Sequence, residues 1–98
     1  MKTLWSKEAD ETLDEIYDSI ERRFTAKEVD SFALMVHETI RVIENHPKSF
    51  PAFSSKRMKT VRKAVIHPHS TLFYRIDSKT QITLITFWDN RQDPSKIK

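Results

Sequence analysis

The chain predicts an α+β fold in the order β-α-α-β-β-β, with a helical hairpin packed on one face of an antiparallel sheet. Three observations carry this reading. Apolar residues recur every three or four positions from Ala9 to Ile43, the spacing of two amphipathic helices. Positions 60–88 hold three strand-like runs separated by tight turns, which implies consecutive antiparallel strands. The chain has 98 residues, enough for one domain, residues 1–98, built on a single two-layer core.

Residues 2–5 form a short extended start that can add a strand to the sheet. Ser6 then offers an N-cap hydroxyl, and Ala9, Leu13, Ile16, Tyr17, Ile20 and Phe24 predict a helix over residues 7–23. Its acids are enriched early, and Arg22 and Arg23 lie at its end, where they complement the helix dipole. Thr25 and Glu28 have the spacing of a capping box. Val29, Phe32, Ala33, Val36, Ile40 and Ile43 extend a second helix over residues 26–45, stopped by Asn45-His46-Pro47. Residues 47–59 read as a loop, and strands follow over 60–67, 71–77 and 81–88. Side-chain alternation places Leu72, Tyr74 and Ile76 under the helices, with Ile82 and Leu84. Thr71, Phe73, Arg75 and Asp77 fall on the other face, as do Ile85 and Phe87.

Composition excludes several function classes. Cysteine is absent, which removes disulfides, thiolate metal sites and thiol nucleophiles and fits a reducing compartment. Glycine is absent too, so neither a phosphate-binding P-loop nor a dinucleotide fingerprint can form. No signal-peptide core or apolar run of bilayer-spanning length occurs, so the expectation is a cytoplasmic protein with no membrane association and no cofactor.

Charge is strongly divided along the chain. Residues 1–46 carry 6 Lys+Arg against 11 Asp+Glu, a net of −5, and residues 47–98 carry 11 against 3, a net of +8. The basic half points to a polyanionic partner. Lys56, Arg57, Lys59, Lys63 and Arg75, with Phe73 and Phe87, form a candidate nucleic-acid-binding set that can hold phosphates and stack bases. Arg62 and Arg91 belong to the same basic group. His67 and His69 flank Pro68 in a turn, where either can serve as general acid or base near neutral pH or simply bond the turn. An H-x-H pair with no nearby Cys or carboxylate does not predict a metal site.

The helix start W-S-x-x-A-x-x-x-L-x-x-I-Y (Trp5 to Tyr17), the run L-F-Y-R-I-D (Leu72 to Asp77) and the closing D-N-R-Q-D-P (Asp89 to Pro94) resemble the RelE/ParE superfamily across essentially the whole chain. Its members are toxins of type II toxin–antitoxin modules, often called plasmid stabilisation proteins. The resemblance implies a cognate antitoxin whose extended segment covers the basic surface. Of the two targets it implies, mRNA comes first: RelE-like members are ribosome-dependent endonucleases (mRNA interferases), and the alternative is that of ParE-like members, which poison DNA gyrase without catalysis. Cleavage requires a base for the 2′-hydroxyl and cations for the crowded phosphate. The family pattern maps that role onto Arg62 or Lys63 and onto Arg91, with His67 or His69 as candidate acid or base. Two positions depart from it: Thr71 stands where RNA-cleaving members open a strand with arginine, and Ile97 lies near their C-terminal tyrosine or histidine. A nucleic-acid-binding module that merely docks RNA or DNA is the reading outside the toxin class.

Overall fold

The computed structural model describes residues 1–67 and 70–91, His67 by its backbone alone. Strand β1 (Lys2–Trp5) leads into helices α1 (Lys7–Arg23) and α2 (Ala26–Asn45). Strands β2 (Ala52–Phe53), β3 (Val61–His67), β4 (Ser70–Ser78) and β5 (Gln81–Asp89) follow. The five strands form one sheet in the order β1-β5-β4-β3-β2.

Both helices take the predicted bounds, but only one is capped as expected. The Ser6 hydroxyl accepts the Ala9 N–H at 3.0 Å and donates to the Ile85 carbonyl at 2.8 Å, so one side chain starts α1 and pins it to β5. Thr25 occupies the N-cap of α2, yet its side chain makes no capping hydrogen bond. The backbone serves instead, with Glu28 N–H donating to the Thr25 carbonyl at 3.0 Å.

The sheet is mixed, not antiparallel throughout. The tight turns of the β3-β4-β5 meander force antiparallel pairing, and those pairs are antiparallel. No turn joins β1 to β5, and β1 pairs parallel to it, from Lys2 opposite Gln81 to Trp5 opposite Leu84. Within the predicted 47–59 loop, Ala52 and Phe53 pair antiparallel with Arg62 and Val61 to make a fifth strand, too short for periodicity to reveal.

A bulge in β5 changes which residues meet the helices. Phe73 lies opposite Thr86, but Tyr74 lies opposite Leu84, so Ile85 has no partner across β4. The extra residue reverses the alternation beyond it. Phe87 therefore joins Ile82 and Leu84 under the helices rather than facing away. It is 2% exposed and stacks on Trp5 at 5.7 Å between ring centroids. The main core packs Ile16, Ile20, Phe32, Val36 and Ile43 of the helices against Leu72, Tyr74, Ile82 and Leu84. Each such buried aliphatic or aromatic side chain contributes roughly 1.5–3 kcal/mol.

The opposite face is not open. Residues 54–60 fold across it and bury Met58 against Val61 and Phe73, with Phe53, Ile85 and Trp88 packed around them. The Met58 N–H donates to Ser55 Oγ at 3.0 Å, the Ser55 N–H donates to the Met58 carbonyl at 2.6 Å, and Thr60 closes the segment at φ 57°.

Candidate functional site

The basic residues do not converge on one bare surface. Strand alternation puts Lys63 on the sheet face away from the helices and Arg62 on the helix side, opposite Tyr74. There the Arg62 guanidinium donates through Nη1 to the Phe50 carbonyl at 2.7 Å and the Lys48 carbonyl at 3.3 Å. The Tyr74 hydroxyl donates to the neighbouring Pro47 carbonyl at 2.6 Å. Together they hold the turn that leaves α2. Burial raises the Tyr74 pKa above the ordinary phenol value, and the Arg62 charge opposes that rise.

The other three arginines of the basic half are each paired within the chain. Arg57, on the 54–60 segment, pairs with Glu8 of α1. Arg75 Nε donates to Asp77 Oδ1 at 2.7 Å. Arg91 grips Asp89 with Nε–Oδ1 and Nη2–Oδ2 contacts of 3.0 and 2.7 Å and donates to Ser19 Oγ at 2.8 Å. Its bonds to Asp89 raise the Arg91 pKa further. Lys56 and Lys59 are exposed, and Lys63 Nζ sits 5.5 Å from the centroid of the Phe53 ring.

Neither aromatic of the expected base-stacking pair presents a free ring. Phe73 lies on the predicted face but is 2% exposed, covered by Met58 and by Phe53 at 5.0 Å between centroids. Phe87 is in the helix-side core, as the bulge dictates. The expectation that these two rings stack bases is corrected accordingly, because both spend their faces on packing.

Thr71, the first departure from the RNA-cleaving pattern, is buried and donates to Asn90 Oδ1 at 2.8 Å. His69 and Ile97 lie outside the described residues, as does the His67 side chain. Among the described residues, no group of three or more His, Cys, Asp or Glu can hold a metal ion. No helix among them is long and apolar enough to cross a membrane.

A feature that sequence reasoning missed lies along the edge of β5 beyond the end of β1. The Thr12 hydroxyl of α1 accepts the Phe87 N–H at 2.9 Å there, in place of a neighbouring strand. Beside it a cleft of about 200 Å³ opens between α1, β5 and Arg57, with Glu15, Thr86, Trp88 and Asp89 in its lining. The spacing of Glu8, Thr12, Glu15 and Ser19 marks one helix face, but nothing in the sequence shows what that face meets.

The sequence matches the family described as ParE toxin of type II toxin-antitoxin system, parDE, over residues 3–94. The chain belongs to the ParE toxin family. Solved structures agree at the level of fold. The chromosomal ParDE toxin–antitoxin system from P. aeruginosa aligns with a TM-score of 0.73 and 17% identity, covering 91% of this chain and 95% of that one. The YoeB/ParE toxin from Agrobacterium tumefaciens aligns with a TM-score of 0.65 and 14% identity over 91% and 98%. YafQ from E. coli aligns with a TM-score of 0.64 and 11% identity over 92% and 93%. No curated protein sequence matches the chain. Membership of the ParE family makes the chain the toxin side of a type II toxin-antitoxin system, with an antitoxin as its partner.

Proposed function

We propose that this ParE family member inhibits growth by binding its target, DNA gyrase, in the cytoplasm, with no catalytic chemistry of its own. One observation supports this reading above the others: the arginines that a phosphoryl-cleaving site would need together are dispersed. Arg62 is bound to backbone carbonyls on the helix side of the sheet, and Arg91 is bound to Asp89 and Ser19 at the end of β5. Stabilising a crowded phosphate requires cations aimed at one point, and these two are held by other partners.

The ribosome-dependent mRNA endonuclease is the second reading. It is favoured by Lys56, Lys59 and Lys63, which have no carboxylate partner among the described residues and can follow an RNA backbone. In that reading His67 or His69 supplies the proton transfer, with Arg62 and Arg91 released to the phosphate.

Induced expression, with translation and DNA supercoiling followed separately, tests the choice. The expected result is gyrase-dependent double-strand breakage while translation continues. Rapid translation arrest with mRNA cut in the ribosomal A site, abolished in a His67→Ala, His69→Ala double variant, would replace the gyrase reading with the endonuclease.

A further inference from the structure

Glu8, Thr12, Glu15 and Ser19 follow one another along the face of α1 that meets β5, and three of the four are engaged. Glu8 pairs with Arg57, Thr12 Oγ1 accepts the Phe87 N–H, and Ser19 Oγ accepts from Arg91. Glu15 is exposed and has no ion-pair or hydrogen-bond partner among the described residues, although it lines the cleft at the β5 edge. Thr86 lines the same cleft. It is only 2% exposed, yet its hydroxyl has no hydrogen-bond partner among the described residues. That hydroxyl is not sealed off, since the buried side-chain atom without a partner among the described residues is Ser70 Oγ; the Thr86 hydroxyl is open to the cleft and to a ligand that hydrogen-bonds to it. The indole of Trp88 forms another part of the lining.

We infer that this cleft is a docking site for one cationic side chain, an arginine or a lysine, carried on a basic segment of a protein partner. The sign follows from the charges around it. Arg57 is neutralised by Glu8 and Arg91 by Asp89, which leaves the Glu15 carboxylate as the uncompensated charge among the described lining residues. A guanidinium or ammonium group seated there meets Glu15 by a charge-assisted hydrogen bond, donates to the Thr86 hydroxyl and lies against the Trp88 ring. Ile16 and Phe87 give its aliphatic stem an apolar wall. Exposed acids at Asp10, Glu11, Asp14, Asp18 and Glu21 continue along α1 and draw a basic segment toward the cleft. A nucleic-acid phosphate would face Glu15 and Asp89, and the described residues offer no metal-binding cluster. This inference does not depend on the choice between gyrase and mRNA, because the charge and lining of the cleft are the same under either.

The test uses the full chain and a fluorescently labelled hexa-arginine peptide, with binding read as anisotropy at low salt. Wild type binds, and replacing each arginine of the probe by citrulline abolishes binding. Glu15→Gln weakens binding roughly tenfold, the size of one charge-assisted hydrogen bond. Asp14→Asn makes the same change in net charge one residue outside the cleft and weakens binding less than about twofold. Thr86→Val leaves the charge unaltered and weakens binding severalfold, with circular dichroism showing that it is folded. Equal losses for Glu15→Gln and Asp14→Asn would overturn the site, since only the general field of α1 would be at work. So would a Thr86→Val variant that binds the peptide normally but loses binding to an oligoribonucleotide.

Discussion

Arg62 shows how a residue type can suggest chemistry while its contacts assign it a structural task. Its guanidinium bridges the Phe50 and Lys48 carbonyls beside the Tyr74–Pro47 hydrogen bond, so it holds the segment between α2 and β2 in place. Replacing it with methionine keeps much of the stem and removes both donations. The expected outcome is a loss of about 1–2 kcal/mol in urea denaturation. Asp77 gives a second residue-scale expectation. Hydrogen bonds from Thr83, then Gln81, with Arg75 contributing, hold its carboxyl down to about 2 from 3.8, against an opposing effect of burial. A folded-state pKa below the unfolded one stabilises the protein above the unfolded value, and that contribution is lost as pH falls from about 4 to about 2. Urea midpoints measured across that range should fall less steeply for Asp77→Asn than for wild type.

At the scale of elements, α1 acts as a flank for β5. β1 pairs with β5 only as far as Leu84, and beyond that point Ser6 and Thr12 supply the hydrogen bonds that a strand would otherwise make. Thr12→Val keeps the side-chain shape and leaves the Phe87 N–H without its acceptor. A destabilisation of about 1–3 kcal/mol is expected, with faster amide exchange at Phe87 in NMR as the local signature. These contacts also explain what was legible. Ser6 could be read as a cap from the sequence because capping is local. The bulge at Ile85 could not, because it is defined by the partner strand, and a single extra residue moved Phe87 from one face to the other. The two-residue strand β2 escaped notice because it is stabilised by pairing with β3 rather than by any pattern of its own.

Over the whole molecule, the fold redistributes the charge that the sequence divides. The basic half has a net charge of +8, yet three of its arginines are paired with carboxylates of the same chain. Asp77 and Asp89 lie within the basic half, but Glu8 comes from the acidic one, so folding brings the two halves into contact at Arg57. The surface left for a polyanion is accordingly lysine-rich, and the acidic helix is left with Glu15 at the rim of a cleft.

The order of elements apart from β2, the bounds of both helices, the meander and the superfamily were determined by sequence alone, because spacing, turn residues and ordered motifs are properties of consecutive positions. Tertiary structure decided the parallel pairing of β1, the burial of Phe73 and Phe87, the partners of the arginines and the cleft beside Glu15. Each of these depends on which distant segments meet, and alternation and composition carry no information about that.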